Sequence, residues 1–422
     1  MGDDDARAKR IRPEEEPRRQ ELPPNGADLI SPSPTREGAR TQAVSRRWRP
    51  LWRATPLNLQ VDYGLCWRWQ DAKVDVPATT KILAGHAGPG RRFVLLGLNI
   101  PNRADTVDGW LRSRALTGLR EIRLSYSSAG ALPPSALRFA ATLRVAKFGY
   151  CHFPNEVATS LKFPHLRELS LFEVTVSEEV LHSLLSGCYV LEILLLERNA
   201  GFARLRISSP TLRSIGFSGP WEGEGSEATK FQELVVEDAP RLERLLPLHP
   251  DRGPATIVGL LSAAISKLEF GTTAFQEMIA LSMGTSMETV KVLALESLGP
   301  NLDSVVDFLK CFPCVEKLYI KRLKNVRTYN LLDPTECLEL HLKKVVVNDC
   351  RGMGPDVDFI KFFVLNAKVL KEMYLGVVPS CNDKWMANQR RLLQLDNKAS
   401  PGARFAFDNR AAGDSHPQNL ER

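Results

Sequence analysis

Two short stretches decide the fold: Leu166-Arg167-Glu168-Leu169-Ser170-Leu171 and Leu191-Glu192-Ile193-Leu194-Leu195-Leu196. Both read apolar-x-x-apolar-x-apolar. Working outward, the same phrase is found at Phe93/Leu96/Leu98, Leu119/Ile122/Leu124, Leu143/Ala146/Phe148 and Leu212/Ile215/Phe217. It continues at Phe231/Leu234/Val236, Ile265/Leu268/Phe270, Val290/Leu293/Leu295, Val315/Leu318/Ile320, Leu342/Val345/Val347 and Leu370/Met373/Leu375. Twelve units recur at intervals of 19 to 34 residues. That is the signature of leucine-rich repeats, whose consensus carries Asn or Cys after a further two-residue gap. Cys151, Asn199 and Cys350 occupy that place, where a side chain can bond the turn leaving the strand. Leucine makes up 58 of 422 residues, enough to supply every unit.

Each period-two core predicts a short strand, and the stretch after it often reads as a helix. In Ser177-Glu178-Glu179-Val180-Leu181-His182-Ser183-Leu184-Leu185, the apolar residues fall on one helix face behind Ser177 as N-cap. One strand and one helix bury too little alone, so stacked units give an α/β leucine-rich-repeat solenoid with a parallel concave sheet and outer helices. The unit beginning at Phe231 is irregular and followed by Pro240, Pro247, Pro250 and Pro254, which predicts a loop or damaged repeat.

The net charge is +7 and thinly spread, so a nucleic-acid partner is not expected. The exception is residues 36–53, with six Arg against one Glu. There Val44, Trp48, Leu51 and Trp52 share one helical face while most of the Arg residues lie off it, a pattern of helix packing. No apolar run approaches the ~18 residues of a membrane span, and the acidic N-terminus has no secretory h-region. Eight Cys at irregular spacing suggest free thiols in cytoplasm or nucleus. Cys311-x-x-Cys314 with Cys337 and His341 has zinc-like composition, but the repeat register separates these residues onto a helix end, a strand entry and a turn. No Walker loop, metalloprotease or nucleophile-elbow motif occurs, and Gly85-His86-Ala87-Gly88-Pro89-Gly90 reads as a turn. No enzyme activity and no cofactor are expected.

Three phrases resemble the plant-type F-box proteins with leucine-rich repeats and a C-terminal FBD region. The first runs from Pro34-Thr35-Arg36 to Ser45-Arg46-Arg47-Trp48-Arg49-Pro50-Leu51-Trp52, similar to the second half of an F-box, with Ser-Arg-Arg-Trp and Leu-Trp as its marks. The second is Val306-Asp307-Phe308-Leu309-Lys310-Cys311-Phe312-Pro313-Cys314-Val315-Glu316-Lys317-Leu318. The third runs from Leu342-Lys343-Lys344-Val345 to Phe359-Ile360-Lys361-Phe362-Phe363-Val364-Leu365-Asn366-Ala367. The resemblance implies a substrate receptor of an SCF-type ubiquitin ligase, with the F-box on a Skp-type adaptor and the repeats on a protein target. The family's first F-box helix is missing, because Asp28-Leu29-Ile30-Ser31 runs directly into Pro32-Ser33-Pro34-Thr35. The expected organisation is a disordered tail over 1–33, a partial F-box-like segment over 34–60, repeats over 91–335, FBD-like repeats over 336–407 and a disordered tail over 408–422. Val44, Arg47, Trp48, Leu51 and Trp52 are the expected adaptor contacts. Strand alternation aims Arg123, Lys147, Phe172, Leu195, Tyr319 and Tyr374, with Lys321 and Lys344, out of the concave sheet, where aromatic and Arg anchors would meet a target.

Overall fold

The computed structural model describes residues 54–61, 76–98, 103–154, 162–218, 233–247, 267–270, 273–276, 279–282, 288–296, 302–321, 335–350, 352, 354–377 and 383–408. The framework is a thirteen-stranded, wholly parallel sheet. In spatial order its strands are β1 (Leu57–Val61), β2 (Gly90–Leu98), β3 (Glu121–Ala131), β4 (Val145–His152), β5 (Glu168–Phe172) and β6 (Ile193–Glu197), followed by β8 (Ser214–Ser218), β10 (Arg244–Pro247) and β14 (Val292–Glu296). The last four are β15 (Lys317–Lys321), β16 (Lys344–Cys350), β17 (Glu372–Val377) and β18 (Arg404–Asp408). Parallel strands need long crossovers, and each repeat supplies one. With the leucine-rich repeats, this sheet and its helices form an α/β solenoid.

The core lies on one side of this sheet. Ile122 and Leu124, Leu169 and Leu171, Leu194 and Leu196, and Val345 and Val347 all point there and are buried. Each is worth ~1.5–3 kcal/mol of burial, so the two inward residues per strand hold a repeat to its neighbours. Against them pack the helices α1 (Val76–Gly85), α2 (Arg103–Leu111), α3 (Glu178–Ser186), α4 (Leu302–Cys311), α5 (Gly354–Asn366) and α6 (Asp383–Leu392). Helix α3 forms as its residues demand. Ser177 Oγ accepts a bond from Val180 N, Glu178 and Glu179 sit at the positive end of the dipole, and Val180, Leu181 and Leu184 are buried.

The outer layer departs from the expected run of helices. Between β6 and β14 it is a second, five-stranded sheet, in the order β13 (Ile279–Ser282), β12 (Thr273–Gln276), β11 (Lys267–Phe270), β9 (Glu233–Asp238) and β7 (Arg204–Ser208). The sequence explains the change at β7. Arg204-Leu205-Arg206-Ile207-Ser208 alternates exposed and buried, a period of two rather than 3.6. Leu205, Ile207, Leu234 and Val236 face the core from this sheet.

Three repeat assignments are corrected by the register. Phe231/Leu234/Val236 and Ile265/Leu268/Phe270 belong with the outer sheet, since β9 pairs with β7 and β11. The main sheet uses Leu242 and Leu245 with Pro247 instead, aligned with Ile215 and Phe217 through β10. Phe93/Leu96/Leu98 is out of phase: Phe93 and Leu95 pair with Ile122 and Leu124 and are buried, whereas Leu96 is 39% exposed. The nearly unbroken apolar run from Phe93 to Leu98 gave alternation nothing to fix its phase. The sheet also begins before residue 91, because Leu57, Leu59 and Val61 already form an inward-facing strand paired with β2. The Gly85–Gly90 turn joins α1 to β2. Gly88 is required there, since a Cβ would lie 2.5 Å from the Thr55 carbonyl oxygen.

Candidate functional site

The face of the main sheet turned away from the helices is the candidate site. Register places Arg123, Lys147, Ser170, Leu195 and Gly216 in one column across β3 to β8, and Tyr319, Val346 and Tyr374 in the same column across β15 to β17. Phe172 belongs to the adjoining column, between Gly149 and Glu197. At ~4.8 Å between strands, Phe172 and Tyr319 are about 24 Å apart, so they form two patches rather than one. Arg123, Lys147, Phe172, Leu195, Tyr319 and Tyr374 are all half-buried rather than freely exposed. Neighbours on the same face explain this. Arg123 Nε bonds Glu121 Oε1 at 2.7 Å, and Lys147 is ion-paired with Glu168. Lys344 Nζ lies 4.9 Å from the centre of the Tyr374 ring.

The first patch is built at the exits of β4, β5 and β6. Tyr150, Glu173 and Arg198 occupy equivalent positions there, two residues past the last inward residue, and all three have left-handed backbones with φ of 53°, 48° and 50°. Non-glycine residues in that region carry ~1–2 kcal/mol of strain each, and such strain concentrates at functional sites. The turn delivers the Tyr150 ring edge-on to Phe172 at 5.0 Å and the Arg198 guanidinium over the same ring at 4.8 Å. Arg198 also pairs with Glu173 at 2.9 Å and Glu197 at 3.4 Å. Residue-type reasoning missed Arg198; the available signal was its place just before Asn199. Beneath it, Asn199 accepts from Val174 N at 2.9 Å and donates to the Leu171 carbonyl at 3.1 Å. The consensus Asn therefore bonds the turn, as its position implies, and Cys151 and Cys350 are likewise buried.

The second patch centres on Glu372. Its carboxylate receives Lys344 at 3.8 Å, Arg404 at 3.5 Å and the Tyr374 hydroxyl at 3.4 Å. Beside it, the Tyr319 hydroxyl is shielded from solvent and has no hydrogen-bond partner among the described residues. Burial pushes its pKa up to about 12, with the nearby Glu372 charge adding to the effect. A buried hydroxyl without a partner is uncommon and is a donor awaiting an acceptor.

Val44, Arg47, Trp48, Leu51 and Trp52 lie outside the described residues, as do the tails at 1–33 and 409–422. Nothing is described of the Lys321 side chain. In the cysteine set, Cys311 and Cys337 are buried, and the Cys337 thiol donates to the Val315 carbonyl at 3.4 Å. Burial pushes that thiol up to about 12, with the Val315 bond opposing and Cys314 adding. A protonated, hydrogen-bonded thiol is the form expected of a cysteine packed in the core.

A family model described as FBD-associated F-box protein At5g56370, LRR repeats, matches residues 107–320, just over half of the chain. The chain belongs to the FBD-associated F-box/leucine-rich-repeat family. An FBD model matches residues 331–375, the stretch holding β16 and α5. Among Arabidopsis thaliana relatives, the F-box/FBD/LRR-repeat protein At1g13570 is 27% identical over 49% of this chain and 47% of its own length. The F-box/LRR-repeat protein At4g14103 is 28% identical over 51% and 57%. The F-box/FBD/LRR-repeat protein At5g22660 is 23% identical over 87% and 90%. The chain thus spans about half the length of the first two relatives and most of the third. In this family member, the repeat match begins within α2 and ends within β15, so it holds the first patch and Tyr319, while Lys344, Glu372 and Tyr374 of the second patch fall in the FBD match.

Proposed function

We propose that this protein is a non-catalytic substrate receptor of an SCF-type ubiquitin ligase. The open face of its sheet takes a protein target, and the segment around Val44, Arg47, Trp48, Leu51 and Trp52 docks a Skp-type adaptor in cytoplasm or nucleus. Family membership supports the assembly. The Tyr319 hydroxyl, without a partner among the described residues and near the Glu372 charge, supports the target face and is the observation that carries it. A target that displaces the side chains covering this hydroxyl would supply its acceptor, and Tyr is a common anchor of protein interfaces. The second reading is a free repeat module detached from the ligase. It is favoured by the missing first F-box helix, where Pro32 and Pro34 stand in place of helix formers.

Titration of the full chain with a Skp-type adaptor tests the assembly. Binding that is weak and lost in Trp48→Ala and Trp52→Ala supports the receptor. No binding favours the free module, and submicromolar binding refutes the idea that the missing helix matters. With a target in hand, Tyr319→Phe should weaken its binding by ~1 kcal/mol or more while leaving the melting temperature unchanged or raised. Unchanged affinity rejects the face.

A further inference from the structure

One position per repeat, just before the open-face residues, forms a ladder along the entry edge of the sheet. Its rungs are joined through the backbone: Arg120 N donates to Arg91 O at 3.0 Å, Arg144 N to Arg120 O at 2.7 Å and Arg167 N to Arg144 O at 2.8 Å. The chain continues through Glu192, Arg213, Glu243, Lys291, Glu316 and Lys343, each donating to the rung before it at 2.8–2.9 Å. From Arg167 to Lys343 the charges alternate strictly in sign. Neighbouring rungs then pair: Arg167 with Glu192 at 3.2 Å, Arg213 with Glu243 at 2.7 Å and Lys343 with Glu316 at 3.0 Å. The geometry of this edge thus brings adjacent side chains into ion-pair contact at three of its six opposite-sign junctions, each Glu taking one basic neighbour.

At the other end the alternation stops. Arg91, Arg120, Arg144 and Arg167 are four successive rungs of one sign, all exposed, at ~4.8 Å intervals. Among the described residues, Arg120 and Arg144 have no ion-pair partner. The nearest carboxylates on the open face are engaged elsewhere: Glu121 holds Arg92 and Arg123, and Glu168 holds Lys147. Like charges also meet at the far end, where Lys371 N donates to Lys343 O at 2.8 Å, but among the described rungs a run of four basic residues occurs only here.

We infer that the four-arginine edge is a docking strip for an acidic, Asp/Glu-rich protein segment in extended conformation. Three intervals of ~4.8 Å make about 14 Å, and an extended chain rising ~3.4 Å per residue covers that with about five residues. The partner's carboxylates take the places that Glu192, Glu243 and Glu316 fill further along. The edge does not suit nucleic acid, because the adjoining open-face residues Val94, Arg123, Lys147 and Ser170 offer no aromatic platform for a base. The inference is independent of ligase assembly.

The test uses the purified full chain without adaptor. A fluorescent peptide with six consecutive Glu, its six-Gln counterpart and a six-phosphate oligothymidine are titrated by anisotropy at about 50 and 200 mM salt. The Glu peptide should bind, weaken with salt and lose about tenfold in affinity in Arg120→Glu and in Arg144→Gln. Lys343→Gln, on a paired rung, should leave affinity unchanged. Arg120→Glu should also hold or raise the melting temperature, since the new carboxylate sits between Arg91 and Arg144 and extends the alternation. Equal binding of the Gln peptide, unchanged affinity in both arginine variants, or tighter binding of the oligothymidine would each overturn the inference.

Discussion

Asn199 gives the sharpest test of how one repeat holds the next. Its side chain is 5% exposed and reaches back to the preceding repeat, accepting from Val174 N and donating to Leu171 O. Asn199→Ala removes both bonds. A buried backbone group left unsatisfied costs ~1–3 kcal/mol, so the pair sets the loss at ~2–6 kcal/mol. Because repeats are coupled mainly to neighbours, the damage falls on the β5–β6 junction first. Urea denaturation followed by circular dichroism should show a lower midpoint or an early separate transition. Asn199→Asp keeps the acceptor for Val174 but turns a carboxylate oxygen toward the Leu171 carbonyl. That variant should be worse than Ala near pH 7 and should recover in mild acid, where a protonated carboxyl can donate again. A loss below about 1 kcal/mol in the Ala variant, or no pH dependence in the Asp variant, would refute the assigned bonds.

Other expectations follow from the same geometry. Gly88→Ala forces a Cβ against the backbone of Ala54 and Thr55 and should cost ~1–3 kcal/mol in thermal unfolding, whereas Gly85→Ala, with open space around it, should be neutral. His86 is buried and donates from Nε2 to the Thr55 carbonyl at 2.9 Å; desolvation lowers its pKa below the ordinary 6.5, outweighing that bond. Its neutral form is thus the folded one, so its contribution is complete above pH 6.5 and is lost as pH falls through 6.5 to the lowered folded value. His86→Gln should flatten that part of a melting-temperature profile, and an unchanged profile would reject the assignment. Native Cys337, its thiol held near 12, should resist alkylation at pH 8 and react once urea unfolds the chain; mass spectrometry reads both states.

Much of the architecture is legible in the sequence because the inward residues of a strand must be apolar, and Ile122/Leu124 and Leu169/Leu171 obey that with Arg123 and Ser170 between. What was hidden has particular causes. Alternation reports that one side of a strand is buried but not which layer the strand joins, so Leu234/Val236 of the outer sheet looked like a unit of the main one. Leu242 and Leu245 were obscured because Pro247 takes the third apolar place, and a Pro argues against a central strand. At the open face, alternation selects Phe172, Tyr319 and Tyr374, but not what lies on them. Arg198 covers Phe172 only because three non-glycine residues adopt left-handed backbones, and no residue type announces that. The Tyr319 hydroxyl was invisible for a related reason: its lack of a partner depends on neighbours brought from β16 and β17.

The exchange of helices for strands in the outer layer has a consequence for how the molecule bends. Neighbouring helices pack with axes ~8–10 Å apart, while the strands they cover are ~4.8 Å apart. A helix-backed stretch is therefore wider outside than inside and must arc. From β6 to β14 both layers are strands with the same spacing, so nothing wedges the outside open and this stretch runs straighter. The Phe172 patch stands just before this stretch, on β5, and the Tyr319 patch just after it, on β15. A partner touching both must bridge the straighter stretch, which favours a long, rigid ligand over a compact one.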